Sequence, residues 1–411
     1  MKKILIGLVA AMCCFALAAP AMAQVKISGM ITLDAYFDDT SAEMRNGGVL
    51  SNVVNFDRND RQQTHINLPQ ALNRFDVQWT SEDKKVHGRI QLRYGAPTAW
   101  NVIGGNAPAQ QFDPEFAYID YHWTPGWYTR FGRQEQTFAI MAPSQSLGQA
   151  QAHIVGAGWG NVHGGTARDG IKNFFKFSDM VRLEFELIDP SNSTAEAIAG
   201  FPGAGGFVVV EENSVIPRID LALNIKVANF VIEPSVTWLR QEYDGVASGS
   251  EDSMDIWGAA LGVAAGFGPF TARGEVTYGQ NLGNANYVGG NGAAIGYFDA
   301  AGDLQIEDTE VLAAWIDLGF NFGPAAIHGI VGYEKWETDA AGIVIAGQGE
   351  RERERWMYGV NLPIKMTKNF TIKPEVMFYK DDDGASVGRT DAVTADFGDE
   401  LIAGVQFQLV F

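Results

Sequence analysis

Six histidines, His65, His87, His122, His153, His163 and His328, are the side chains best suited to acid–base or metal chemistry, yet they are scattered without ligand spacing. No nucleophile elbow and no phosphate-binding glycine loop accompanies them. The only cysteines, Cys13 and Cys14, sit in an apolar N-terminal run, so no disulfide framework or thiol chemistry is available downstream. The expectation is a protein that is not an enzyme and needs no cofactor or metal. What remains is fixed charge. Arg89, Arg93, Lys172, Arg182, Lys226 and Arg273 alternate with apolar neighbours, as do Asp76, Asp120, Glu184, Glu186, Asp220 and Glu275. Charges repeated along one face act on whatever passes that face.

The elements that carry them read as strands. In "QVKISGMITLDAYF", Val25, Ile27, Ile31, Leu33 and Phe37 share a face opposite Lys26, Ser28, Thr32 and Asp34, a period of two. The pattern recurs in "MVRLEFELID", "RIDLALNIKV" and "NFTIKPEVMFY". Tight turns are expected at Glu82 to Lys84, Thr124 to Gly126, Ser178 to Asp179, Ala228 to Asn229, Gly268 to Pro269, Gly323 to Pro324 and Thr367 to Asn369, and they alternate with long polar stretches. Between them lie about sixteen strands. The chain ends on "LIAGVQFQLVF", an alternating segment without the charges or proline that blunt a free sheet edge. An even strand number brings this segment beside the strand from Gln24, and ring closure at Phe411 removes the edge.

At the other end, "MKKILIGLVAAMCCFALAAPAMA" has two lysines, an uncharged run and a small-x-small cleavage pattern, so residues 1–23 are expected to be a signal peptide and 24–411 a single barrel domain. Aromatic residues decide what surrounds the barrel. Trp123, Trp127, Phe267, Phe270, Phe320, Phe322 and Phe370 cluster beside the tight turns, and Trp238, Tyr243, Trp257, Tyr278, Trp336, Trp356 and Tyr379 lie near the far strand ends. Two girdles separated by aliphatic residues are what a bilayer selects. The uncharged "IWGAALGVAAGFGPFTA" carries Gly258, Gly262 and Gly266 at helix-packing spacing, but "GFGP" breaks it too early to span as a helix, and as a strand it turns the glycines to the lumen. A propeller has a similar turn period but would show four short strands per repeat.

The hairpin "FAYIDYHWTPGWYTRFGRQEQ", together with "NRFDVQWTSED" and the terminal phenylalanine, resembles the trimeric general porins of Gram-negative bacteria over Gln24 to Phe411. The resemblance implies an all-β, sixteen-stranded transmembrane antiparallel barrel, a homotrimer, and passive diffusion of small hydrophilic solutes and ions. It implies that the loop after Gln134, up to about Thr166, folds inward as a constriction loop. It also implies a basic wall at Arg74, Arg133 and Arg168. Arg133 shares parity with Trp127 and Phe131 and faces outward unless a bulge intervenes, which makes Arg130 the inward candidate. The stretch from Gln136 to Ala167 departs from the family in holding no Asp, Glu, Lys or Arg. Met141, Ile154 and Trp159 within it are either an apolar or sugar-stacking surface or the packing that pins the loop.

The formal net charge is −19, or −21 without Lys2 and Lys3, which argues against nucleic acid as a partner. The acids concentrate in long loops such as "KDDDGASVGRTDAVTADFGDE", which suit either cations bridging to lipopolysaccharide or plain solvation. The expected setting is the bacterial outer membrane, with its lipid as a partner. A substrate-selective channel, a barrel hydrolase and an adhesin stand as alternatives.

Overall fold

The computed structural model describes residues 24–41, 61–68, 73–95, 111–147, 162, 167–190, 197–200, 208–209, 211–212, 215–244, 249–285, 292, 294–298, 303–338, 351–382 and 398–411. Residues 1–23, Ile154 and Trp159 lie outside this set.

The first eight barrel strands are β1 (Gln24–Thr40), β2 in two pieces (Arg61–Asn67 and Arg74–Thr80), β3 (Val86–Gly95), β4 (Gln111–Thr124), β5 (Trp127–Glu135), β6 (Ala167–Lys176), β7 (Val181–Ile188) and β8 (Arg218–Val227). The second eight are β9 (Phe230–Asp244), β10 (Ser253–Phe267), β11 (Phe270–Gln280), β12 (Thr309–Phe322), β13 (Ala325–Thr338), β14 in two pieces (Arg351–Asn361 and Ile364–Lys365), β15 (Phe370–Asp382) and β16 (Asp399–Val410). Each pairs antiparallel with its neighbours. β16 returns to β1 from Met30↔Val410 to Thr40↔Glu400. Gly29 and Phe411 then exchange backbone hydrogen bonds of 3.0 and 3.1 Å. The strand β16 is paired on both sides, to β1 and to β15.

The tight turns fall where the sequence pattern places them. Gly268 and Gly323, at φ 60° and 73°, precede Pro269 and Pro324 and supply the left-handed residue of two-residue hairpins. At the first turn the Asp83 carboxylate accepts from Ser81 Oγ at 2.6 Å and from the Lys85 N–H at 3.1 Å. These bonds, the Ser81 one foremost, hold its pKa below the usual carboxylate value.

β2 departs from a plain ladder. It meets β1 at Asp34↔Asn67 and again at Met30↔Arg74, so seven steps on β2 oppose four on β1. The three extra residues switch the inward parity from odd to even. The gap is patched where Asn73 Oδ1 accepts the Thr32 N–H at 2.7 Å.

Outward side chains form an exposed apolar band that includes Ile27, Ile90, Ile119, Leu261, Ile316 and Val376. Rings meet beside the tight turns, Trp123 stacked on Trp127 at 5.4 Å and Phe270 tilted against Phe320 at 4.9 Å. At the far ends Trp257 meets Tyr278 and Tyr333 meets Trp356. Three residues assigned to the far girdle from sequence are not in it: Tyr243, Trp336 and Tyr379 are buried inside the ring. Position along a strand indicates which end a residue occupies, while parity decides the side, and these three share parity with inward Gln241, Glu334 and Asp381.

Candidate functional site

Two features shape the interior. The first is the segment from Gln136 to Leu147, which runs around the inner wall after β5. Thr137 Oγ1 donates to Glu186 on β7 at 2.8 Å, and the Ala139 N–H to Ser235 on β9 at 3.1 Å. The Met141 N–H donates to Glu275 on β11 at 3.3 Å, and the Ser144 N–H to Asp317 on β12 at 2.7 Å. Glu375 on β15 then accepts from the N–H groups of Ser146 and Leu147 at 2.7 and 2.6 Å, and Gln406 on β16 donates to the Ser146 carbonyl at 3.1 Å. Nine residue steps, at most about 31 Å of chain, cross nine strand spacings, about 43 Å of wall. An extended chain that short follows the smaller arc, inside the ring.

The wall is cut to fit the segment. A Cβ on Gly258 would lie 2.8 Å from the Phe138 ring, and one on Gly262 would lie 2.8 Å from Met141 Sδ. Two of the three glycines noted in "IWGAALGVAAGFGP", Gly258 and Gly262, thus serve close approach of this segment, while a Cβ on Gly266 would meet nothing within 4 Å. Phe138 and Ala139 join Val162, Leu239, Ile256, Leu282, Val311 and Trp336 in an apolar cluster inside β9–β13.

The second feature is the wall from β2 to β7. Arg130 on β5 grips Asp120 through two bonds of 2.6 and 3.0 Å and lies over the Tyr118 ring at 3.7 Å. Arg89 holds Asp76 at 2.5 Å and covers Phe116 at 4.9 Å. Arg74 meets Glu115 at 3.2 Å, and Arg93 meets the same carboxylate. These four arginine side chains remain 19–32% exposed, whereas Asp76, Glu115 and Asp120 remain 3–7% exposed. Water in the lumen therefore meets guanidinium groups with carboxylates behind them.

Of the four predicted arginines, Arg74 and Arg130 stand on this wall. Arg168 also points inward but is buried beside Ile188, Asp189 and Arg218. Arg133 does not join them. The β4–β5 and β5–β6 ladders run through it without a register shift, opposite Ala117 and Asp169, so it shares the outer face with Phe131 and pairs with Asp169 at 3.7 Å. Gly132, at φ 116°, bends the strand without adding a residue, and parity holds. Met141 packs on the wall at Gly262.

Sequence reasoning missed Glu115 and the role of Glu186, Glu275, Asp317 and Glu375 as acceptors. Pro114 was a usable signal for the first, because proline inside a strand run marks an edge or a bulge. The four described histidines are accounted for locally: His65, His87 and His328 bond Asp38, Asp120 and Asp317, and His122 stacks on Tyr128, while His153 and His163 lie outside the described residues. Among the described residues no group of three His, Cys, Asp or Glu is arranged to hold a metal.

No protein-family model matches the chain, and no curated protein does. Solved structures do. The outer membrane channel DcaP of Acinetobacter baumannii aligns with 13% identity and a TM-score of 0.67, covering 96% of this chain and 99% of that one. The trimer form of OmpT, an outer membrane protein of Vibrio cholerae, aligns with 9% identity and a TM-score of 0.54 over 95% and 99% of the two chains. Salmonella typhi OmpF, solved with daunomycin, aligns with 8% identity and a TM-score of 0.52 over 94% and 98%. With a closed ring of sixteen antiparallel strands among the described residues, this chain shares its fold with these outer-membrane channels.

Proposed function

We propose that the protein is a passive diffusion channel of the bacterial outer membrane for small hydrophilic solutes and ions. One observation carries this reading: a ring whose outer face is apolar encloses partly exposed guanidinium groups, an arrangement that suits lipid outside and water inside. Residues 136–147 narrow the passage, and Arg74 and Arg130 line it, with Arg168 supporting the wall from a buried position. The chain performs no catalysis. It reaches the membrane behind a cleaved signal peptide at residues 1–23, and it assembles as a homotrimer through the outer faces of the first strands, where small and aromatic residues such as Ala117 and Tyr121 offer packing to a neighbouring barrel, while Gly29 is covered by the chain's own Phe411 ring. Lipopolysaccharide surrounds the assembly. Phe411 seals the ring.

The test is reconstitution into a planar bilayer across a potassium chloride gradient. The expected record shows stepwise conductance closing in threes, with a reversal potential near zero or slightly toward anions. Folded, heat-modifiable protein that conducts nothing would overturn the reading.

A further inference from the structure

Glu115 has no counterpart across the ladder. β4 faces β3 at Gln91↔Phe116 and next at Leu92↔Pro114, so Glu115 is the extra residue of a β-bulge. Under strict alternation it would share the outer face with Ala117 and Ile119, where a carboxylate would meet lipid. The bulge re-aims it, and both Glu115 and Phe116 are buried within the ring.

Its surroundings give the re-aiming a purpose. Arg74 and Arg93 stand directly opposite each other on β2 and β3, a cross-strand pair of like charges that repel. Glu115 reaches between them, 3.2 Å from Arg74 and in contact with Arg93. No acid from residues 136–147 approaches these arginines, because that segment contains none. The acids of the wall behind it, Glu275, Asp317 and Glu375, accept backbone N–H groups instead.

We infer that Glu115, delivered by the bulge, is a specificity-determining residue of the passage: it offsets and orients the Arg74–Arg93 pair and so limits the channel's preference for anions. The inference rests on the channel reading. It assigns to a barrel strand the balancing charge that the inward segment lacks.

The test uses the full chain carrying Glu115→Gln in planar bilayers at low salt, read as the chloride-to-potassium permeability ratio. A unit charge about 8 Å from the ion path in water changes local ion concentration about two- to threefold, upward for one sign and downward for the other, so the ratio should rise about sixfold. Glu115→Asp, which keeps the charge, should bring the ratio back. Channels of normal conductance whose ratio does not move with Glu115→Gln would overturn the inference and leave the channel reading standing. Wild-type protein that folds but never conducts would remove the channel reading itself. Should Glu115→Gln fail to assemble, it is combined with Arg93→Gln: the double variant shows a higher ratio than Arg93→Gln alone if the inference holds and the same ratio if it does not.

Discussion

The inner walls of β2–β5 and β7–β15 both carry inward carboxylates, and the two regions use them for different ends. On β2–β5, Asp76, Glu115 and Asp120 stand behind arginines whose guanidinium groups reach water. On β7–β15, Glu186, Glu275, Asp317 and Glu375 are buried beneath residues 136–147 and bond their N–H and hydroxyl groups. The first region exposes charge. The second spends most of its buried carboxylates on holding a chain in place, with Asp317 also pairing the partly exposed Arg273 at 2.8 Å. A count of inward acids and bases along the strands therefore says little about the field a solute meets, since burial decides which of those charges reach the lumen.

Removing the acceptors of the second region should give the largest effect. With Asp317→Asn and Glu375→Gln together, three N–H groups exchange a charged acceptor for a neutral one. Such bonds drop from about 1.5–3 to about 1 kcal/mol each. A total near 3 kcal/mol corresponds to roughly a hundredfold in the population of detached segment. Protease should then nick folded barrels between residues 136 and 147, and single-channel conductance should rise. Wild-type protection and conductance in this variant would mean that the apolar contacts at Phe138 and Met141 hold the segment alone.

Exchanging charge on the first region should have a smaller effect, and an uneven one. Arg74→Glu reverses a charge in contact with lumen water, and two charge units about 8 Å from the path shift the ion ratio toward cations roughly thirtyfold. Arg168→Glu, made at a buried position, should shift it less than twofold. Both effects should shrink at 1 M salt, where the screening length falls to about 3 Å. A larger shift from Arg168 than from Arg74 would reverse the assignment of which wall faces the solute.

The smallest effect is expected at Arg133. It lies on the outer face beside Asp169, so Arg133→Glu should leave the permeability ratio at its wild-type value in the same bilayer measurement. A shift comparable to that of Arg74→Glu would place its side chain in the passage.

Strand alternation made the ring, its tight turns and its closing seam legible from sequence, because a lipid-facing strand must be apolar at every second residue and its turns must be short. The same parity separates Arg130 from Arg133. What local pattern could not encode was the path of residues 136–147. Its anchors lie as far along the chain as Glu375 and Gln406, and an uncharged segment carries no mark of the carboxylates it will meet. Two irregularities were equally hidden. The three extra residues of β2 shift parity without an obvious break in hydrophobicity, and the bulge at Glu115 is announced only by Pro114.

The seam between β1 and β16 also bears on how the molecule comes to exist. Its partners, such as Met30 and Val410, are nearly the whole chain apart, and bringing together ends so distant costs about 5 kcal/mol in chain entropy, far more than a two-residue hairpin requires. The fifteen other neighbour pairings shorten that search, so the hairpins should form early and the seam last, giving slow, high-contact-order folding. Until then the nascent sheet has two raw borders flanked by an oily surface, the state most prone to aggregate. Newly made chains therefore need shelter until the β1–β16 seam closes, and a product that lacks the closing strand cannot lock.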